Sequence, residues 1–131
     1  MVILIPARGG SQRIPNKALR PLAGKPLIDW TIESCFQIVG VYPTEIVVAS
    51  DDPRILRHAA QKVNVWERPQ WTATADAPDL TWLMLACEKY PDQELFVIRR
   101  PTSPFLAAET VGRALADFAH ELAGLVELEE P

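Results

Sequence analysis

The apolar residues of the chain fall into short clusters that alternate between two spacings. Clusters with a continuous apolar centre and polar or turn-forming flanks are typical of strands covered on both faces. This pattern predicts buried strands at Val2–Ile5 and Glu45–Ala49. Further strands are predicted at Val63–Trp66 and Leu95–Ile98, with a closing strand at Gly124–Leu128. Between them the apolar residues recur every three or four positions, which predicts helices.

Four helices are predicted to connect and follow these strands. The first follows Pro26, and the second follows Asp52-Pro53, where an aspartate cap and a first-turn proline favour a helix start. The third begins near Asp79, and the fourth lies in the last part of the chain. Their apolar stripes are, in chain order, Ile28, Ile32, Cys35, Phe36 and Val39; Ile55, Leu56, Ala59, Ala60 and Val63; Leu80, Leu83, Met84, Cys87 and Tyr90; and Val111, Leu115, Phe118, Ala119 and Leu122.

This alternation of strands and helices predicts an α/β fold with three layers, α/β/α, in which a mostly parallel sheet carries right-handed crossovers. The 131 residues, 48% of them hydrophobic, suit a single domain with one core over residues 1–131. Ligands bind such sheets at the carboxyl ends of the strands. The loops after the first four strands are therefore expected to meet at one crevice.

Composition and charge exclude several classes of function. A net charge of −4 argues against nucleic acid as a partner. No apolar run is long enough to cross a bilayer and the chain enters a strand directly, so a cytoplasmic protein with no membrane partner is expected. Cys35 and Cys87 lie within apolar patterns of helical spacing and are expected to be buried, reduced thiols. A zinc site is not expected, since these cysteines and the distant His58 and His120 do not have the spacing of zinc ligands.

A basic, glycine-rich loop follows the first strand. It combines Gly9 and Gly10 with Arg8, Arg13 and Lys17. Glycines allow the backbone to bend tightly and bring its N–H groups close to an anion, and basic side chains add charge-assisted hydrogen bonds. The loop is therefore predicted to bind phosphate.

Two well-known nucleotide motifs do not fit this loop. A Walker A sequence needs Ser or Thr after Gly-Lys, whereas Pro26 follows Gly24-Lys25 here. The dinucleotide fingerprint needs a further glycine at a helix start, and none has the required spacing. The sequence P-A-R-G-G-S-Q-R-I-P-N-K, followed by L-A-G-K-P-L-I and a W-T-I-E helix, instead resembles the acylneuraminate cytidylyltransferases, or CMP-sialic acid synthetases.

The resemblance implies a Rossmann-like nucleotide-diphospho-sugar transferase fold, of which this chain covers the N-terminal part. It also implies that a sialic-acid-type sugar attacks the α-phosphate of CTP, forming a CMP-sugar and releasing pyrophosphate, with Mg²⁺ bridging the phosphates. CTP and an acidic sugar would be the partners, and a homodimer the assembly. The metal-binding aspartates of the family are expected in later segments, so no metal ligand is assigned in this chain.

Residues that match the family's motifs are assigned to the site by this resemblance. Arg8 and Lys17 are the catalytic candidates. The nucleotide-binding set is Ala7, Arg8, Gly9, Gly10, Ser11, Arg13, Lys17, Arg68 and Asp76. The sugar-binding set is Arg100, Pro101, Thr102 and Ser103. Arg100 stands where the family has Gln, and an arginine can pair with a substrate carboxylate.

Several assignments leave alternatives open. Asp52 is interpreted first as a helix cap, and Asp51 as a turn former that borders the pocket. Asp76 is equally well explained as a cap. Trp71 has two interpretations, a ring that stacks on a ligand and, more commonly for an aromatic residue, a cover for the core. For the molecule as a whole, the alternatives are a non-catalytic CTP-binding domain and a cytidylyltransferase for another acidic sugar, such as 3-deoxy-manno-octulosonate.

Overall fold

The computed structural model describes residues 1–10, 15–38, 44–74, 76–104 and 107–129. Its strands are β1 (Val2–Pro6), β2 (Pro21–Leu22), β3 (Lys25–Pro26), β4 (Glu45–Ser50), β5 (Asn64–Glu67) and β6 (Phe96–Ile98). Its α-helices are α1 (Leu27–Ile38), α2 (Pro53–Ala59), α3 (Asp79–Lys89) and α4 (Ala108–Glu129). Short 3₁₀ turns lie at Lys17–Leu19 and Gln70–Thr72.

Four strands form one parallel sheet in the order β5-β4-β1-β6. In its centre Leu4 of β1 lies beside Val47 of β4 on one side and Ile98 of β6 on the other. The strands predicted before residue 100 are thus confirmed, each to within a residue or two. Because the strands are parallel, all four carboxyl ends lie at the same edge of the sheet.

Helices cover both faces of this sheet, which confirms the predicted three layers. On one face α1, α2 and α4 bury a cluster that includes Ile3, Ile32 and Ile55. On the other face α3 packs Trp82 and Ala86 against a smaller cluster formed by Val2, Leu4 and Val47. Alternate side chains of β1 therefore enter opposite cores, as the pleat of a strand requires.

A small antiparallel hairpin between β1 and α1 was not predicted. β2 and β3 pair through a two-residue turn in which Ala23 has a φ of 49° and Gly24 a φ of 91°. Glycine adopts such angles without strain, and turns with two positive φ values match the twist of a two-stranded ribbon. Trp30 of α1 fixes the hairpin, since its Nε1 donates to the Leu22 carbonyl at 2.8 Å. The hairpin thereby sets where α1 begins.

The predicted apolar face of α3 is wrong in part. Leu80 and Met84 are 66% and 59% exposed, whereas Trp82 and Ala86 are buried. The helix carries two apolar stripes, and the stripe that contains Trp82 packs against the second face of the sheet. Cys87 lies on the outer side and is exposed, so its expected burial is also wrong.

The prediction for Cys35 on α1 is confirmed, because this thiol is fully buried. Burial raises its pKa to about 11, although the positive charge of the neighbouring Arg99 acts in the opposite direction. Phe36 of the predicted α1 stripe is half-exposed, and Val39 lies outside the described residues.

The closing strand predicted at Gly124–Leu128 is wrong, because α4 continues through this segment to Glu129. One glycine costs a helix only about 1 kcal/mol relative to alanine, and the helical spacing of Leu122 and Leu125 continues across it. In the described part of the chain, no helix combines the length and the apolar character that crossing a membrane requires.

A buried carboxylate joins α1 to α2. Asp29 is 4% exposed, and its two oxygens lie 2.7 Å from His58 Nε2 and 3.0 Å from Lys62 Nζ. We expect Asp29→Ala to lower the free energy of unfolding by about 2 kcal/mol, because two charge-assisted contacts are lost. Urea denaturation would measure this change. Gln37→Ala on the exposed side of the same helix is the control, and an equal loss in both variants would contradict the expectation.

Candidate functional site

A cavity of about 340 Å³ opens at the edge of the sheet where the strands end. The loops after β1, β5 and β6 supply most of its walls, as expected for a parallel sheet. The loop after β4, also expected at this crevice, has no residue among those that line it. Its lining residues are Pro6, Ala7, Arg8, Lys17, Ala18, Leu27, Arg68, Thr72, Ala73, Thr74, Ala77, Asp79, Trp82, Arg100, Pro101 and Thr102. A cavity of this size and position suits a small-molecule ligand.

The lining of the cavity is strongly positive. Among the described residues that line it, four side chains are cationic, Arg8, Lys17, Arg68 and Arg100, and one, Asp79, is a carboxylate. In a cavity with protein walls, charges of one sign reinforce one another and concentrate ligands of the opposite sign. The cavity is therefore suited to an anion with several negative charges.

The loop after β1 is held to the neighbouring strand by its own backbone. The Ala7 amide donates to the Ala49 carbonyl at 2.9 Å, and the Gly9 amide donates to Asp51 Oδ1 at 2.9 Å. Both amides belong to the set predicted to place phosphate, yet each already has a protein acceptor. Arg8 and Lys17 contribute side chains to the cavity, whereas Gly9 and Gly10 do not line it. Ser11 and Arg13 lie outside the described residues.

The loop after β4 supports the loop after β1. Asp52 caps α2 by accepting the Arg54 amide at 2.9 Å, which confirms its predicted role. Hydrogen bonding to Arg54 holds the pKa of the Asp52 carboxyl below its usual range. The Asp52 amide donates to Ser50 Oγ at 3.0 Å, which fixes the turn that presents Asp51 to Gly9. Sequence reasoning missed the contact between Asp51 and Gly9, although it placed both residues at adjacent strand ends.

Arg68 lies under the cavity rather than in its opening. The side chain is 5% exposed, and its Nη2 donates to the Thr72 carbonyl at 2.6 Å while Nε donates to Thr72 Oγ1 at 3.3 Å. Its guanidinium also stacks on the Trp82 ring at 5.0 Å, and burial lowers its pKa. These contacts hold the turn at Gln70–Thr72 in place. Arg68 therefore shapes the wall to which it adds charge.

The two arginines after β6 point to different parts of the fold. Arg99 is buried and donates to Ser34 Oγ of α1 at 3.0 Å. Arg100 lines the cavity and pairs with Asp79, the first residue of α3. The second oxygen of Asp79 accepts from Trp82 Nε1 at 3.2 Å. The loop after β6 and the start of α3 are thus joined across the rim.

The structure brings together most of the predicted sugar-binding residues. Arg100, Pro101 and Thr102 line the cavity beside Arg8 and Lys17, whereas Ser103 does not. Asp76 is exposed and also lies off the lining, and Trp71 is exposed rather than a cover for the core. Asp79, Trp82 and Thr72 line the cavity without having been predicted there. The cue for Asp79 was its position at a helix start directly after the proline-containing loop.

The described residues do not form a magnesium site of their own. No three His, Cys, Asp or Glu side chains among them cluster in a way that could hold a metal ion. Asp79, which lines the cavity, pairs with Arg100, and Asp51 in the loop after β4 accepts from Gly9. Mg²⁺ needs free oxygen ligands in near-octahedral geometry. These residues alone do not fit it.

The chain is similar in sequence or fold to several known proteins. CMP-N,N'-diacetyllegionaminic acid synthase from Legionella pneumophila is 36% identical over 121 residues, 88% of this chain and 51% of that protein. N-acylneuraminate cytidylyltransferase from Streptococcus agalactiae is 27% identical over 132 residues, 98% of this chain and 32% of that protein. A solved structure of CMP:2-keto-3-deoxy-manno-octonic acid synthetase complexed with CTP superimposes with a TM-score of 0.79 at 28% identity, over 93% of this chain and 48% of that chain.

The chain spans about half, or less, of the length of these relatives. The family model described as cytidylyltransferase, however, matches residues 2–128, which is nearly all of the chain. The parallel sheet and the basic cavity at its carboxyl edge agree with that match. The chain belongs to the cytidylyltransferase family.

Proposed function

We propose that the protein transfers a cytidylyl group from CTP to an acidic sugar and releases pyrophosphate. The observation that carries this proposal is the cavity at the carboxyl edge of the sheet, where Arg8, Lys17, Arg68 and Arg100 gather positive charge. The structural neighbour with CTP bound has the same fold over 93% of this chain. Because the chain spans about half of its relatives, the activity of the whole protein is part of the proposal.

Arg8 and Lys17 would perform most of the work on the nucleotide. Their charges neutralise the triphosphate, and they stabilise the negative charge that builds up on pyrophosphate as the bond to the α-phosphorus breaks. The new bond forms between the sugar hydroxyl oxygen and the α-phosphorus, and the hydroxyl proton passes to solvent. Holding the two substrates in line supplies much of the rate enhancement. Magnesium, which the family resemblance implies, needs ligands from the nucleotide and from residues beyond those described.

A sialic-acid-type sugar is the first candidate for the acceptor. The relatives named for diacetyllegionaminic acid and N-acylneuraminate align with 88% and 98% of this chain. The neighbour named for 2-keto-3-deoxy-manno-octonic acid, at a TM-score of 0.79, makes that sugar the second candidate. All three names denote acids, in agreement with an arginine at position 100. A CTP-binding domain without activity of its own is the third candidate.

Nucleotide selectivity tests the proposed function. In calorimetric titrations with Mg²⁺ present, we expect the chain to bind CTP more tightly than ATP or GTP. Equal affinities for the three nucleotides would contradict a cytidylyltransferase site. Release of pyrophosphate from CTP with each candidate sugar would then separate an active enzyme from a binding domain. A cytoplasmic location, expected from the sequence pattern, and a homodimer, implied by the family resemblance, are also part of the proposal. Sedimentation velocity would measure the assembly.

Lys17→Ala is expected to weaken CTP binding by about tenfold or more, because a charged contact to the triphosphate is worth roughly 1.5–3 kcal/mol. The affinity for cytidine should be unchanged, since it has no phosphate. Arg20→Ala is the matched control, because Arg20 is an exposed basic residue nearby that does not line the cavity. If both variants lose the same affinity, Lys17 acts only through overall charge and its assignment to the site is wrong.

A further inference from the structure

The one carboxylate among the cavity's lining residues has a role that the proposed function does not explain. We propose that Asp79 holds Arg100 while the site is empty, and that the carboxylate of the acidic sugar displaces Asp79 when it binds. Asp79 would then determine specificity by competing with the substrate for one guanidinium. This inference rests on the proposed function, since it concerns the acidic sugar of that reaction.

The geometry of the pair makes such an exchange feasible. Asp79 begins α3, Arg100 follows β6, and their side chains meet at the rim of the cavity. Both side chains are about half-exposed, so water reaches the contact. Ion pairs with this exposure contribute at most about 1 kcal/mol. A ligand that forms two hydrogen bonds to the same guanidinium can therefore replace Asp79 at small cost.

Asp79 keeps other partners after it releases Arg100. Its second oxygen accepts from Trp82 Nε1 at 3.2 Å, and its place in the first turn of α3 is favourable for a negative charge. Displacement therefore leaves no buried, unpaired carboxylate, which would otherwise oppose it. The indole of Trp82 is itself buried, so this second contact stays in place during the exchange.

The charges around Asp79 indicate what it competes with. Arg8, Lys17 and Arg68 also line the cavity, and their positive field attracts any anionic ligand. Arg8 and Lys17 belong to the segment after β1, whereas Arg100 belongs to the loop after β6, so the two groups can hold different anions. With the triphosphate assigned to Arg8 and Lys17, the guanidinium of Arg100 is available to a carboxylate.

Asp79→Asn is the informative variant, because asparagine keeps an oxygen for Trp82 and removes the charge that holds Arg100. Titrations of the full chain with N-acetylneuraminic acid, in the presence of CTP and without Mg²⁺ so that the two substrates do not react, would compare this variant with the unmodified protein. We expect the acid to bind about three- to fivefold more tightly to Asp79→Asn, the gain that loss of an exposed ion pair allows. Its methyl ester, which lacks the negative charge, should bind equally to both proteins.

The double variant Asp79→Asn with Arg100→Gln tests whether the increase in affinity depends on Arg100. In the Arg100→Gln background we expect Asp79→Asn to leave the affinity for the acid unchanged. The proposal would be overturned if Asp79→Asn did not raise the affinity for the acid, or raised it in the Arg100→Gln background as well. It would also be overturned if Asp79→Asn raised the affinity for CTP and not for the sugar. Asp79→Ser provides a second test should the asparagine variant be poorly folded, as judged by its thermal unfolding.

These outcomes separate the inference from the proposed function. Failure of the unmodified chain to prefer CTP would contradict the proposed function. If the chain binds CTP selectively but its affinity for the acid is the same in Asp79→Asn, the inference is contradicted and the proposed function is not.

Discussion

Replacing Trp82 with alanine is expected to lower the free energy of unfolding by about 3–5 kcal/mol, the usual cost of removing a fully buried aromatic side chain. Trp82 is 2% exposed and is the largest of the fully buried side chains of the described residues. It fills the core between α3 and the second face of the sheet, where it packs with Val2, Leu4 and Val47. A methyl group in its place leaves a cavity that the surrounding strands cannot close.

The same variant should damage the site. Trp82 lines the cavity, supports the Arg68 guanidinium through ring stacking and donates to Asp79. With the indole removed, Arg68 loses the surface that holds it over the turn at Gln70–Thr72. We therefore expect CTP affinity to fall about tenfold or more at temperatures where the variant is still folded.

Trp71→Ala is the matched control for both effects. Trp71 is 59% exposed and does not line the cavity, so its loss should change the free energy of unfolding by no more than about 0.5 kcal/mol. Far-UV circular dichroism in urea measures both variants without depending on tryptophan fluorescence. Similar losses in the two variants would show that Trp82 does not have the structural role assigned to it.

The parallel sheet was predictable because its information is local. β1 and β4 are continuous apolar runs, and a strand buried on both faces needs that pattern whatever lies beside it. The start of α2 was predictable for the same reason, since Asp52 and Pro53 form a cap and a first turn on their own. The extension of α4 past Gly124 was not predicted, because a glycine that follows an apolar stripe also marks the end of many helices.

Which face of α3 is buried could not be predicted from the sequence of the helix alone. Leu80 and Met84 form one apolar stripe, and Trp82 and Ala86 form another. Which stripe faces the sheet is decided by how the strands' side chains fit against the helix, a tertiary effect that periodicity alone does not resolve. The exposure of Leu80 and Met84 followed only from the folded structure.

In the candidate site, too, some features could be predicted from the sequence and others depended on tertiary contacts. Parallel topology predicted that the loops after β1 and β6 meet, and Arg8 and Arg100 do line one cavity. The contacts between side chains from distant segments were not predictable, such as Arg99 with Ser34 and Arg100 with Asp79. The paired glycines were explained by approach to an anion, whereas the structure shows Gly9 in close contact with the protein itself.

Gly9→Ala is therefore expected to disrupt the loop after β1. A Cβ at this position would lie 2.6 Å from Asp52 Oδ2 and 2.7 Å from Asp52 Cβ, both well inside van der Waals contact. Asp52 cannot move aside easily, because its carboxylate caps α2 and pairs with Arg54. Gly9 must move instead, which breaks the bond between its amide and Asp51. Such overpacking costs about 1–3 kcal/mol.

Gly10→Ala separates this steric effect from a general loss of flexibility. A Cβ on Gly10 meets no atom of the described residues within 4 Å, so the substitution should leave both stability and CTP affinity nearly unchanged. In Gly9→Ala the displaced loop carries Arg8 with it, and we expect calorimetry to show CTP affinity reduced about tenfold or more. Equal losses in the two variants would mean that the loop needs glycine for its backbone freedom. A loss of stability and CTP affinity in Gly9→Ala alone would mean that the carboxylates after β4 set the position of the basic loop. The position of this loop would in turn determine how tightly the protein binds phosphate.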